Sequence, residues 1–129
     1  MINIKQTADI GDGFVNEDGK FLDNYTFQET ASTAANVKPY GVTFIESTAA
    51  KAYTLTAPVK GARKTIIKTA NSTAIGTITV GTTANGISVG GSTSPTRSIA
   101  FNGQNDSIEL LGTSATKWQI VSLNSVTLS

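Results

Sequence analysis

Between Lys64 and Leu128 the chain is written as a series of short apolar-alternating runs, each closed by Gly, Asn, Ser or Thr, and this constrains the fold more than any other feature. The runs are Lys64-Thr-Ile-Ile-Lys68, Gly76-Thr-Ile-Thr-Val80, Arg97-Ser-Ile-Ala-Phe101, Asp106-Ser-Ile-Glu-Leu-Leu111, Lys117-Trp-Gln-Ile-Val-Ser122 and Val126-Thr-Leu128. Each has the length and the period of two expected of a strand. In Thr77-Ile-Thr-Val80 the threonines share one face and Ile78 and Val80 the other, as in a half-buried strand. Phe101, Ile108, Leu110, Trp118, Ile120, Val126 and Leu128 continue the inward set, with Trp118, Phe101 and Ile120 as its anchors.

Upstream, Val42–Glu46 and Ala52–Thr56 read as two further strands, the second closed by Pro58, because proline is poorly tolerated inside a central strand. The adjacent isoleucines Ile66 and Ile67 imply burial on both faces or a bulge. Asn85-Gly86 and Asn102-Gly103 are turn signals, and 90–95 is a loop tip. About eight short strands at this spacing predict an all-β domain, an antiparallel β-sandwich or jelly roll over 37–129. No fixed period links the Thr-rich runs, which places a solenoid behind that expectation.

The first third is less regular. Ile2 to Ile10 alternates weakly and reads as a strand or extended arm, and Phe14-Val15 and Lys20-Phe21-Leu22 flank an Asp18-Gly19 hairpin turn. A small polar run, 29–36, follows as a linker. Residues 1–36 are therefore expected to form an arm and hairpin that serves for attachment, through Ile2, Ile4, Phe14, Val15 and Phe21. Residues 1–29 carry six acids against two lysines, net −4, which leaves +5 for the rest of a chain whose total is +1. Contact between neighbouring copies is one use for that asymmetry, and scattered solvated charge is the other.

Composition narrows the chemistry. The chain has no Cys and no His, so disulfides, thiolate metal sites, the commonest general base and the commonest transition-metal ligand are all excluded. A serine nucleophile would need a lysine partner, and no Ser-x-x-Lys motif is present. Asp106 and Glu109 point to opposite faces of one strand, which suits turn capping by Asp106 better than a pair of catalytic carboxylates. The acids Asp9, Asp12, Glu17 and Asp18 lack the spacing of an EF-hand loop. No cofactor or metal is expected, and the chain reads as a non-enzyme.

Lys60, Arg63, Lys64 and Lys68 form the sharpest cluster, read as a basic surface for an acidic protein partner or as lysines guarding a sheet edge. Near-neutral net charge and the lack of interleaved aromatics argue against nucleic acid. Trp118 could stack on a sugar if exposed, but its alternating strand favours a buried anchor. No run reaches the length of a membrane span, and Met1–Gln6 lacks the pattern of a signal peptide, so synthesis in the cytoplasm without a signal peptide is expected.

The order Tyr53-Thr-Leu-Thr-Ala-Pro58, Lys60-Gly-Ala-Arg-Lys-Thr-Ile66, a Thr/Gly-rich middle, Ile99-Ala-Phe-Asn102, Asp106-Ser-Ile-Glu-Leu110 and Lys117-Trp-Gln-Ile-Val-Ser122 resembles small structural proteins of tailed-bacteriophage particles. The likeness covers about the last 70 residues, rests on composition, and brings no catalytic residues with it. It implies a capsid decoration (cement) or head-fibre protein: a β-sandwich, often a homotrimer, bound to the major capsid protein on the outer surface of the virion. A tail- or fibre-associated module binding a receptor or glycan is the alternative.

Overall fold

The computed structural model describes residues 27–80, 86–88 and 98–129. Among these, all regular structure is strand: β1 (Gln28–Thr30), β2 (Gly41–Ile45), β3 (Lys51–Leu55), β4 (Arg63–Lys68), β5 (Gly76–Val80), β6 (Gly86–Ser88), β7 (Ser98–Phe101), β8 (Ser107–Gly112), β9 (Lys117–Asn124) and β10 (Thr127–Leu128). The all-β expectation therefore holds, and most strands fall within one or two residues of their expected positions. The attachment residues Ile2, Ile4, Phe14, Val15 and Phe21, the Asp18-Gly19 hairpin and the 90–95 tip lie outside the described residues.

The strands form two sheets, ordered β1-β2-β4-β8-β9-β6 and β10-β7-β5-β3. Purely antiparallel pairing was the expectation, and here the structure corrects it. β1/β2, β2/β4, β3/β5 and β6/β9 are parallel. The reason is the route of the chain, which changes sheet at each step from β2 to β8 instead of folding back in hairpins. From β2 to β5, a strand that crosses to the other sheet and returns arrives beside its predecessor in the same direction. Gly41 thus faces Lys64 and Lys51 faces Gly76, offsets of 23 and 25 residues between successive turns of one coil. β7 and β8 then run back antiparallel along β5 and β4, and β8 continues into β9 as an antiparallel pair.

Both sheets contribute to one core. Val37, Ile45, Tyr53, Leu55, Ile66, Ile78, Val80, Ile87, Ile99, Phe101, Ile108, Leu110 and Trp118 form a single buried cluster, with Ile120, Val126 and Leu128 packed partly buried against it. Trp118 and Phe101 are completely enclosed, as anchors of the core would be. Strand β4 shows why neighbouring isoleucines occur together: Ile66 points into the core and Ile67 lies half-buried on the outer face, beside Phe44. No bulge is needed there. The bulge falls instead in β9, where the register shifts between Glu109 and Leu110 and Val121 is left over, exposed.

The run 29–36, expected to be a linker, divides. Glu29 belongs to β1, which pairs with β2; residues 32–35 make a turn; and Val37 forms an isolated parallel bridge to Leu55 at the edge of β3. β1 precedes the 36/37 boundary drawn from the sequence, yet it hydrogen-bonds into the six-stranded sheet.

Candidate functional site

Strand β4 lies between β2 and β8, and its inner row reads Lys64, Ile66, Lys68. Because side chains alternate with period two, lysines four residues apart must share a face, and here that face is the core. Both are fully buried. The basic surface expected at Lys60, Arg63, Lys64 and Lys68 is thereby corrected: Lys60 is exposed, Arg63 is half-buried on the outer face with its guanidinium 3.4 Å from Glu109, and the other two cations are internal. Nor do they guard an edge.

A buried ammonium must find acceptors or lose its proton. Lys64 Nζ donates to Tyr40 O at 3.0 Å and to Thr43 Oγ1, and lies 3.3 Å from the Glu29 carboxylate. Glu29 also accepts from Thr43 Oγ1 at 2.7 Å and from the Lys38 backbone N–H at 2.8 Å. The network ties β1, β2 and β4 together across their inner faces. Burial pulls the Lys64 pKa down to about 8, against the opposing charge and hydrogen bond of Glu29. Burial pushes Glu29 the other way, but hydrogen bonds from Thr43 and Lys38 and the charge of Lys64 outweigh it and leave its carboxyl below the ordinary range.

At the far end of β4, Lys68 Nζ donates to Ser72 O at 2.8 Å and to Ala74 O. It thus closes the 69–75 corner from inside. Two other corners lie alongside. Ser72 Oγ donates to Thr48 O at 3.0 Å, Thr69 N to Ile45 O at 3.0 Å, Asn105 N to Lys68 O at 2.7 Å, and Gln104 Nε2 to Thr69 O at 3.2 Å. Asp106 caps the third corner by accepting from the backbone N–H groups of Asn102 and Gly103 at 2.7 and 2.9 Å. Sequence reasoning assigned that capping role to Asp106 and missed the roles of Glu29 and Thr43. The signal for them is indirect: an inward lysine demands a carboxylate, but nothing local says which.

Trp118 lies opposite Gly112 on β8 and Ile87 on β6, and its indole N–H has no hydrogen-bond partner among the described residues. Tyr53 is also buried. Neither ring presents a face to solvent. No cluster of three or more potential metal-ligating side chains occurs among the described residues.

One cleft opens at the edge of the four-stranded sheet. It has a volume of about 220 Å³ and lies between the 33–36 turn and Ala52, Tyr53 and Thr54 of β3. Its exposed lining is mostly polar and, apart from Asn36 and Tyr53, comes from residues with small side chains, which suits a backbone-like ligand better than an aromatic one. Comparison with models of known protein families, with curated proteins and with solved structures finds no match to this chain.

Proposed function

We propose that this chain is a non-enzymatic structural protein of a tailed-bacteriophage particle, a decoration protein whose β-sandwich body sits on the outer capsid surface and stabilises the shell by binding the major capsid protein. One observation carries the reading. The motifs that resemble phage structural proteins all fall on the two-sheet body: Tyr53-Thr-Leu in β3, Lys64-Thr-Ile in β4, Ile99-Ala-Phe in β7, Ser107–Leu110 in β8 and Lys117–Ser122 in β9. Lys68 braces the 69–75 corner from inside and Lys64 ties β1, β2 and β4 together, an arrangement suited to bearing load. Lys64 and Lys68 are spent inside, which breaks up the basic cluster of β4, and recognition of the shell falls to the N-terminal segment, with its apolar Ile2, Ile4, Phe14, Val15 and Phe21 and its acidic charge.

Immunogold labelling of negatively stained particles from the organism that encodes the chain tests this. Label spread over the heads is the expected result; label confined to tail tips or fibres, or absent from particles, refutes it. Removing residues 1–26 should abolish head labelling by added protein while the strand signal in circular dichroism persists. The alternative, a tail- or fibre-borne glycan-binding module, has lost its stacking candidate, since Trp118 is buried.

A further inference from the structure

We propose that the cleft beside β3 receives the N-terminal segment of a second copy of this chain, added as a short strand parallel to β3. β3 is the edge of its sheet. Its odd residues bond towards β5, as Lys51 N does to Ile75 O, and its even residues face outward. Val37 already uses part of that outward edge: its N–H donates to Thr54 O at 2.7 Å and its carbonyl accepts from Thr56 N at 3.0 Å. Two residues earlier the same pair of groups, Ala52 C=O and Thr54 N–H, faces the cleft with no backbone partner among the described residues. The chain's own 33–36 segment does not fill the position, because Ala35 N–H is turned back onto Ser32 O at 3.2 Å. The cleft therefore offers one donor and one acceptor at the spacing a parallel strand residue needs, walled by the small Ala34, Ala35 and Ala52.

The occupant follows from charge and pattern. Lys51 begins β3 and Lys38 follows Val37, both exposed, so the slot is flanked by cations. Residues 1–26 carry five acids against two lysines, and Thr7-Ala8-Asp9-Ile10 combines small side chains, an acid and no proline. An exposed strand edge is a template for exactly such pairing, and a repeated exchange of this kind links copies of one chain. The proposal adds self-association to the reading above and is measured on the purified protein, so its failure leaves the shell assignment standing and the reverse also holds.

The chain has no cysteine, which makes cross-linking clean. Full-length Ala8→Cys and Thr33→Cys proteins, mixed and mildly oxidised, should give a disulfide-linked pair of the two chains. Adding Thr54→Pro to the Thr33→Cys chain removes the outward N–H at an edge position that tolerates proline, and should suppress that product. Should Thr54→Pro fail to fold, Lys51→Glu decides instead: it should reduce the mixed product by roughly fivefold, and Asp9→Lys on the donor chain should restore it. A monomeric mass by light scattering, a mixed product indifferent to these substitutions, or an intrachain disulfide in the doubly substituted protein overturns the proposal.

Discussion

At the residue scale the two inward lysines of β4 dominate. Each holds backbone or side-chain acceptors that the core would otherwise leave unpaired, so each is worth more than its charge. Lys68→Met should strip the donor from Ser72 O and Ala74 O and destabilise the protein by about 2 kcal/mol, measured by urea unfolding. Lys64→Met should cost a similar amount, about 2–4 kcal/mol, because it leaves Glu29 without its cation. Adding Glu29→Leu to Lys64→Met should cost less than the sum of the single changes, a coupling of roughly 1 kcal/mol or more that marks the pair as one unit.

The same pair makes stability rise with pH at both ends of the range. Glu29 has a lowered folded pKa, so its stabilisation is fully present above the ordinary value of 4.5 and is lost as pH falls through the folded value. Lys64 has a folded pKa of about 8 against 10.5. Between those values the unfolded chain holds the proton that the folded chain has released, so stability contributed by this group rises with pH across that window and is flat below it. Melting temperature followed from pH 3 to 10 should show the acid loss, and Glu29→Gln should remove it.

At the scale of elements, the corners decide direction. Hairpins would have produced the antiparallel sheets that short alternating strands suggest; the arches between sheets from β2 to β5 produce parallel neighbours instead. The corners are closely fitted. A Cβ on Gly112 would lie 2.2 Å from Val59 O, where β8 meets the 59–62 turn, whereas one on Gly61, with φ at +88°, would meet nothing within 4 Å. Gly112→Ala should therefore destabilise by about 3 kcal/mol through a clash with backbone. Gly61→Ala should cost about 1 kcal/mol, the strain of left-handed backbone alone. Asp106→Ala removes two corner caps and should lower stability by about 2 kcal/mol in the same assay.

For the whole molecule the governing fact is one core shared by both sheets. Neither sheet can shed its inner face independently, so the described body should unfold as a single cooperative unit. Trp118, enclosed between β6 and β8, reports on it directly. Its emission should be blue-shifted in the native protein, and the urea transition seen by that emission should coincide with the one seen by far-ultraviolet circular dichroism. Separate midpoints would show that the sheets come apart in stages.

The strands themselves were legible in the amino-acid sequence, because period-two alternation and turn residues are local and each run carries its own record of which face is apolar. Trp118 and Phe101 declare themselves as inward by the same alternation, and Asp106 as a cap by its place before a strand. Other features were settled only in three dimensions. Parallel or antiparallel pairing depends on the route the chain takes through its corners in three dimensions, and Gly, Ser and Thr serve every kind of turn. Lys64 and Lys68 look like surface charge until β4 acquires neighbours on both sides; the alternation that makes Ile66 inward makes them inward too. Whether such a lysine can stay buried depends on Glu29 and Thr43, distant in sequence and brought within hydrogen-bond reach only when β1, β2 and β4 lie side by side.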